Sequence, residues 1–324
     1  MAGSFARPTS GLAHEEMIMK KSSKTKFLDL DEVDIANSDV YLSNMAKSFP
    51  DKAWFIGYVD PDVDVVVDFG GGSGEFCEYV KAKFERTGRN VRFVVIDNNE
   101  AFAAAARLRG FKTYSSLGEM LSSGEVNLGS ALLVMSSVIH EVYSYATSPA
   151  DISGFWRDVG RCGFRQIAIR DMSLNYKNFV NVPSEDIVWV YENVFKDPDI
   201  EIKGVKLAKL VDDFEAEWGL MCDPASKKVN VKNLVHFLIK YRYVENWDRE
   251  LHENYLPVTQ DKLESILSGM GYGFVKKDST KLPFYAKTWA KDFKLRRPDN
   301  DGHKARFLAW LETLNTHIKW LVEK

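Results

Sequence analysis

Val65-Val66-Val67-Asp68-Phe69-Gly70-Gly71-Gly72-Ser73-Gly74 is the stretch around which this 324-residue chain is organised. Three β-branched residues in a row suit a buried strand. The glycine cluster that follows, leading into Glu75-Phe76-Cys77-Glu78-Tyr79-Val80, suits a tight turn into a helix. A backbone that approaches a ligand closely has no room for Cβ and often needs positive φ, which glycine supplies. The helix beyond it offers unpaired N–H groups and a positive dipole end, so an anionic ligand group is favoured there.

Spacing separates the ligand classes that use such a loop. Nicotinamide and flavin folds want G-x-G-x-x-G, whereas the glycines here fall at 70, 72 and 74 with Glu75 after them. The stretch resembles motif I of the class I S-adenosylmethionine-dependent methyltransferases, D-x-G-x-G-x-G, met by Asp68, Gly70, Gly72 and Gly74. That resemblance implies S-adenosyl-L-methionine as cofactor, cradled by Gly70, Gly71, Gly72 and Gly74. This ligand carries no phosphate but an α-ammonium and a sulfonium, which makes an acid at the strand end, Asp68, chemically sensible.

A second strand, Val91 to Ile96, ends in Asp97. In a doubly wound sheet the carboxyl ends of adjacent strands meet at the ligand crevice. Asp97 then faces the ribose hydroxyls, as the matching acid does in the family, with Asn98 beside it among the cofactor contacts. Taken alone, an acid after a strand is usually a helix cap, and Asp97 before Asn98-Asn99-Glu100 fits that role too. The helix former Glu100 to Leu108 follows, then a short strand, Phe111 to Tyr114, after which Ser115 takes the place where the family meets the adenine ring. The family's usual acid is not evident there.

The fourth strand, Ser130 to Ser137, brings Ser136 to the crevice and runs into Val138-Ile139-His140-Glu141. By the resemblance this loop faces the transferred methyl group. His140 there is either a general base with a pKa near working pH or a residue that packs the start of the next helix. A fifth strand, Gln166 to Asp171, carries Arg170 and Asp171 to its carboxyl end. With His140 and Glu141 they ring the substrate side, unless they form an ion pair with each other. Five alternations of strand and helix demand a mostly parallel, doubly wound α/β sheet, seven-stranded in the family.

The expected organisation is a flexible tail over 1–26, a cofactor-binding core over 27–175, a helical substrate cap over 176–256, the end of the core over 257–293, and a linker and helix over 294–324. Tyr272 to Lys277 and Phe284 to Trp289 read as a terminal antiparallel hairpin, and Ala305 to Val322 as an amphipathic helix. Within the cap, Lys240-Tyr241-Arg242-Tyr243 interleaves cations with aromatics, a pattern that either stacks on nucleic-acid bases or fills a core.

A formal net charge of −3 gives no overall attraction for nucleic acid, while a local basic path stays open. Cys77, Cys162 and Cys222 are too few and too scattered for a disulfide framework or zinc site, which points to a reducing cytoplasm and implies no metal. No stretch approaches the length of a membrane helix. The functional expectation is methyl transfer to an unidentified acceptor, RNA, DNA or a small molecule, the alternative being a non-catalytic protein that keeps the fold. Fragments such as His140 to Tyr145 and Ile169 to Met172 also look like bacterial and phage methyltransferases. Nothing in the sequence sets the oligomeric state.

Overall fold

The computed structural model describes residues 47–281, 283–295 and 298–324. The tail expected over 1–26 lies outside them. A one-turn helix, α1 (Phe49–Lys52), comes first. Then β1 (Val65–Phe69), β2 (Arg92–Ile96), β3 (Lys112–Tyr114), β4 (Ala131–Ser136) and β5 (Gln166–Met172) alternate with α2 (Glu75–Arg86), α3 (Glu100–Leu108), α4 (Leu117–Ser123), and the pair α5 (Ile139–Ser144) and α6 (Pro149–Cys162). The valines of β1 are buried because parallel neighbours flank the strand on both sides, with Val65 aligned to Arg92 of β2 and to Ala131 of β4. Local chemistry sets the helix ends. Asn99 caps α3 by accepting from Ala101 and Phe102 N–H groups, and Ser148 with Asp151 makes a capping box on α6.

After β5 the chain leaves the sheet and builds a cap. It runs through α7 (Ser184–Val190), a π-helical turn (Tyr191–Phe195), a ribbon of β6 (Glu201–Ile202) and β7 (Val205–Lys206), and α8 (Leu207–Trp218). A second ribbon, β8 (Cys222–Asp223) with β9 (Lys228–Val229), precedes α9 (Val231–Lys240) and α10 (Trp247–His252). The chain then returns through α11 (Gln260–Gly269) to β10 (Gly273–Lys281).

The last part departs from the sequence expectation. Pro283–Asp292 is a helix, α12, and not the second strand of a hairpin. Proline within its first turn fixes a helical φ where no N–H is needed, and the aromatic spacing of Phe284, Tyr285 and Trp289 serves a helix as well as a strand. After α13 (His303–Leu311), residues Asn315–Glu323 form β11, where a continuous helix to Val322 was expected. Thr316, Ile318, Trp320 and Val322 are buried at every second position, the period of a strand. β11 lies antiparallel between β10 and β5, giving one seven-stranded sheet in the order β10-β11-β5-β4-β1-β2-β3.

The hydrophobic core of the cap joins Ile187, Phe195, Phe214 and Phe237 to Trp289, Phe293, Phe307 and Trp310. The chain therefore leaves the sheet twice, after β5 and after β10, and both excursions pack into one body. Asp186 ties them by accepting from Arg306 and His303.

Candidate active site

The glycine loop sits where the strand order reverses between β1 and its neighbours β2 and β4, the position at which doubly wound folds open a crevice. Gly70, Gly72 and Gly74 have φ of 70°, 55° and 84°. A Cβ on Gly70 would lie 2.5 Å from Val138, and one on Gly71 would lie 2.9 Å from an Asp68 carboxylate oxygen. At Gly72 the same atom would meet nothing within 4 Å. The loop is thus packed on its flanks and open at its crest, as a cradle must be.

Asp97 ties this loop to the next crevice turn. One carboxylate oxygen accepts from Gly72 N–H at 2.8 Å, the other from Asn99 N–H at 2.9 Å. The helix cap itself is Asn99, so Asp97 is not spent on α3. Burial raises its pKa, against the pull of those two donors. Asp68 is wholly inside, with the Cys77 thiol 3.4 Å from its carboxylate. Burial pushes its pKa up to about 7, opposed by the thiol and by Lys52. A buried carboxyl without a full set of donors suits a site that receives a cationic group.

The second half of the site is a dyad. His140 Nδ1 lies 2.8 Å from Asp171 Oδ1, and both side chains are buried. Asp171 also accepts from the backbone N–H groups of Ile139 at 2.7 Å, His140 at 3.4 Å and Met172 at 2.8 Å. It caps the start of α5 and orients the imidazole with the same carboxylate. Burial pulls the His140 pKa down, but the Asp171 charge and hydrogen bond outweigh it and carry the value up to about 9. Asp171 is held below the usual carboxylate range by the same pairing, against its burial. Val138, which packs on Gly70, precedes His140 by two residues, so the dyad borders the cradle.

No family model matches this chain, and no curated protein matches it. Solved structures align with it along most of its length. The plantazolicin methyltransferase BamL, in complex with a triazolic desmethylPZN analogue and SAH, is 11% identical over 96% of this chain and 98% of that one, with a TM-score of 0.44. Geranyl diphosphate methyltransferase in complex with SAM is 10% identical over 90% and 92%, at 0.41. PKMT2 from Rickettsia typhi is 13% identical over 85% and 53%, at 0.42.

Arg170 does not join the dyad. Adjacent strand residues point to opposite faces, so Arg170 turns away from Asp171 and instead donates to Asp51 at 2.7 Å and Ser137 at 2.8 Å. Among the described residues no Arg170–Asp171 ion pair forms. Glu141 remains at the mouth, where burial and Glu253 push its pKa up to about 7 against the pull of His140. Asn98 and Ser115 are exposed, and Ser115 is taken by Glu119, which accepts from its N–H at 2.6 Å and its hydroxyl at 2.7 Å. The Ser116-x-x-Glu119 capping pattern was the readable sign of that acid. Among the described residues Ser136 Oγ is buried without a hydrogen-bond partner, an orphan that a bound polar group would satisfy.

The cap supplies what sequence reasoning missed. Tyr255 stands edge-on to the His140 ring with centroids 5.1 Å apart. Glu253 accepts from the Tyr145 hydroxyl at 2.8 Å and from Arg249 at 2.9 Å. Arg249, Glu253 and Tyr255 lie more than a hundred positions from His140, and no local motif announces such a meeting. Lys240 and Tyr241, two members of the cation–aromatic run, are fully buried. They fill the cap core and offer nothing to a nucleic acid.

Proposed function

We propose that this chain transfers the methyl group of S-adenosylmethionine to an acceptor that enters between the sheet and the cap. The observation that carries the reading is the positive-φ glycine loop at the reversal of strand order, open at Gly72 and flanked by Asp68 and Asp97. When bound, the cofactor supplies an electrophilic methyl carbon. The chain's own residues then position and exclude water. Asp97 fixes the loop and keeps lone pairs for two hydroxyls, while Asp68 provides the negative end for an ammonium. The unpaired Ser136 hydroxyl fits a polar ligand at the end of β4.

The dyad supports a base role for His140. In the neutral imidazole, with Nδ1–H donating to Asp171, Nε2 receives a proton from an acceptor hydroxyl or amine; the pKa of about 9 confines that form to alkaline pH until a bound sulfonium lowers it. Burial of Lys240 and Tyr241 favours a small-molecule acceptor over RNA or DNA. The resemblance of His140 to Tyr145 and Ile169 to Met172 supports a kinship with bacterial and phage methyltransferases. Among the described residues no helix is long and apolar enough to cross a membrane, and all three cysteines are buried free thiols, which supports a reducing cytoplasm.

Incubating the protein with methyl-labelled S-adenosylmethionine and fractionated cell extract tests the reading. Label should enter a low-molecular-mass fraction, and that transfer should fail with Asp97→Ala. Absence of cofactor binding by calorimetry would sink the proposal outright.

A further inference from the structure

The cofactor's tail is a zwitterion, and Asp68 accounts for only one end of it. Beside the N–H groups at the start of α2, the carboxylate gains most from a cation at the same mouth that is not already committed. Arg170 is committed to Asp51 and Ser137, and Arg249 to Glu253. Lys52 is different. It lies within electrostatic reach of Asp68, Glu141, Asp171 and Arg170, yet its ammonium has no hydrogen bond or ion pair with any described residue.

Its place follows from how α1 is braced. On one side Phe49 packs against Phe76 and Tyr79 of α2, with ring centroids 5.6 and 5.7 Å away. On the other, Asp51 accepts from Arg170 at the end of β5 and from Lys319 of β11. The one-turn helix therefore bridges the crevice from the glycine-loop helix to the far side of the sheet. Lys52 is the last residue of that helix, next in sequence to Asp51. Burial, followed by repulsion from Arg170, holds its pKa below the ordinary lysine value, so an anion there would relieve an uncompensated charge.

We propose that Lys52 is the anchor for the cofactor's α-carboxylate, opposite Asp68, which takes the α-ammonium. This rests on the cofactor reading above. It assigns a binding role to a residue outside the strand-and-loop motif, on an element tied to the sheet through Asp51.

A binding cycle tests it without any acceptor. Affinities for S-adenosylhomocysteine and for S-adenosyl-3-thiopropylamine, which keeps the ammonium and lacks only the carboxylate, are measured by calorimetry with the wild-type protein and with Lys52→Met. The wild type should prefer the carboxylate-bearing ligand by about ten-fold or more, and Lys52→Met should lose that preference. Lys52→Arg should restore most of it, and Lys52→Gln gives a second neutral variant should the first fold poorly. Equal losses for both ligands, or an unchanged preference, would overturn the assignment while leaving the cofactor reading intact. Failure of the wild type to bind either ligand would overturn both.

Discussion

The dyad puts two opposed forces on one imidazole, and their balance can be measured. Burial alone would keep His140 neutral, and the Asp171 charge and hydrogen bond, helped by Glu141 and Glu253, carry it up to about 9. In Asp171→Asn the burial remains and the charge goes, so the His140 pKa should fall below its ordinary value in an NMR titration. Because the native pKa is raised, the His140 contribution to stability is complete below about pH 6.5 and disappears as pH rises through about 9. Asp171, whose native pKa is depressed, contributes above its unfolded value and loses that contribution in acid. The stability gap between wild type and Asp171→Asn should therefore be widest between about pH 4 and 6.5, at about 3 kcal/mol or more, and should narrow towards pH 9. The cofactor's charge adds a separate effect. A bound sulfonium beside the dyad repels the imidazolium, so S-adenosylmethionine should lower the His140 pKa where neutral S-adenosylhomocysteine leaves it nearly unchanged. Equal effects of the two ligands would place His140 away from the methyl group.

At the scale of elements, α9 controls how the cap meets the dyad. The Lys240 ammonium donates to the Glu250 and Glu253 carbonyls, both at 2.5 Å, and lies over the rings of Tyr255 and Trp218. It thereby closes the turn that holds Tyr255 against His140. Lys240→Met keeps the side-chain length but leaves those carbonyls unpaired. Hydrogen exchange across residues 250–256 should speed up by about ten-fold or more, with little change across β1 and β2. Protection lost everywhere would instead mean that the cap and sheet unfold together. The elements themselves were unequally legible. β1 and β5 were evident from buried hydrophobic runs, and the Asp68 to Gly74 motif foretold its own loop. The strand at Asn315–Glu323 was obscured because α13 precedes it with only Glu312, Thr313 and Leu314 between, so apolar residues at both periods run together. Phe284 to Trp289 failed in the opposite sense, since its aromatics favour strands locally and only cap packing makes them helical. The His140–Tyr255 contact has no local signature at all, being a product of tertiary packing.

Across the whole molecule, the sheet depends on β11 as much as on β1. Trp320 is fully buried in it, and the strand supplies both the partner of β5 and the partner of β10. Removing residues 312–324 would expose two strand edges and the core face beneath them. The truncated protein should fail to give a cooperative thermal transition, whereas Trp320→Ala in the full chain should fold with a loss of about 3–5 kcal/mol. A truncated protein that melted cooperatively near the full-length temperature would show that the sheet closes without it. The same arrangement has a consequence for synthesis. β5 leaves the ribosome with one edge unpaired and waits through the translation of the cap, β10, α12 and α13 before its neighbour exists. During that interval the nascent chain presents a bare strand edge beside an unfinished crevice, the kind of surface on which chaperones act.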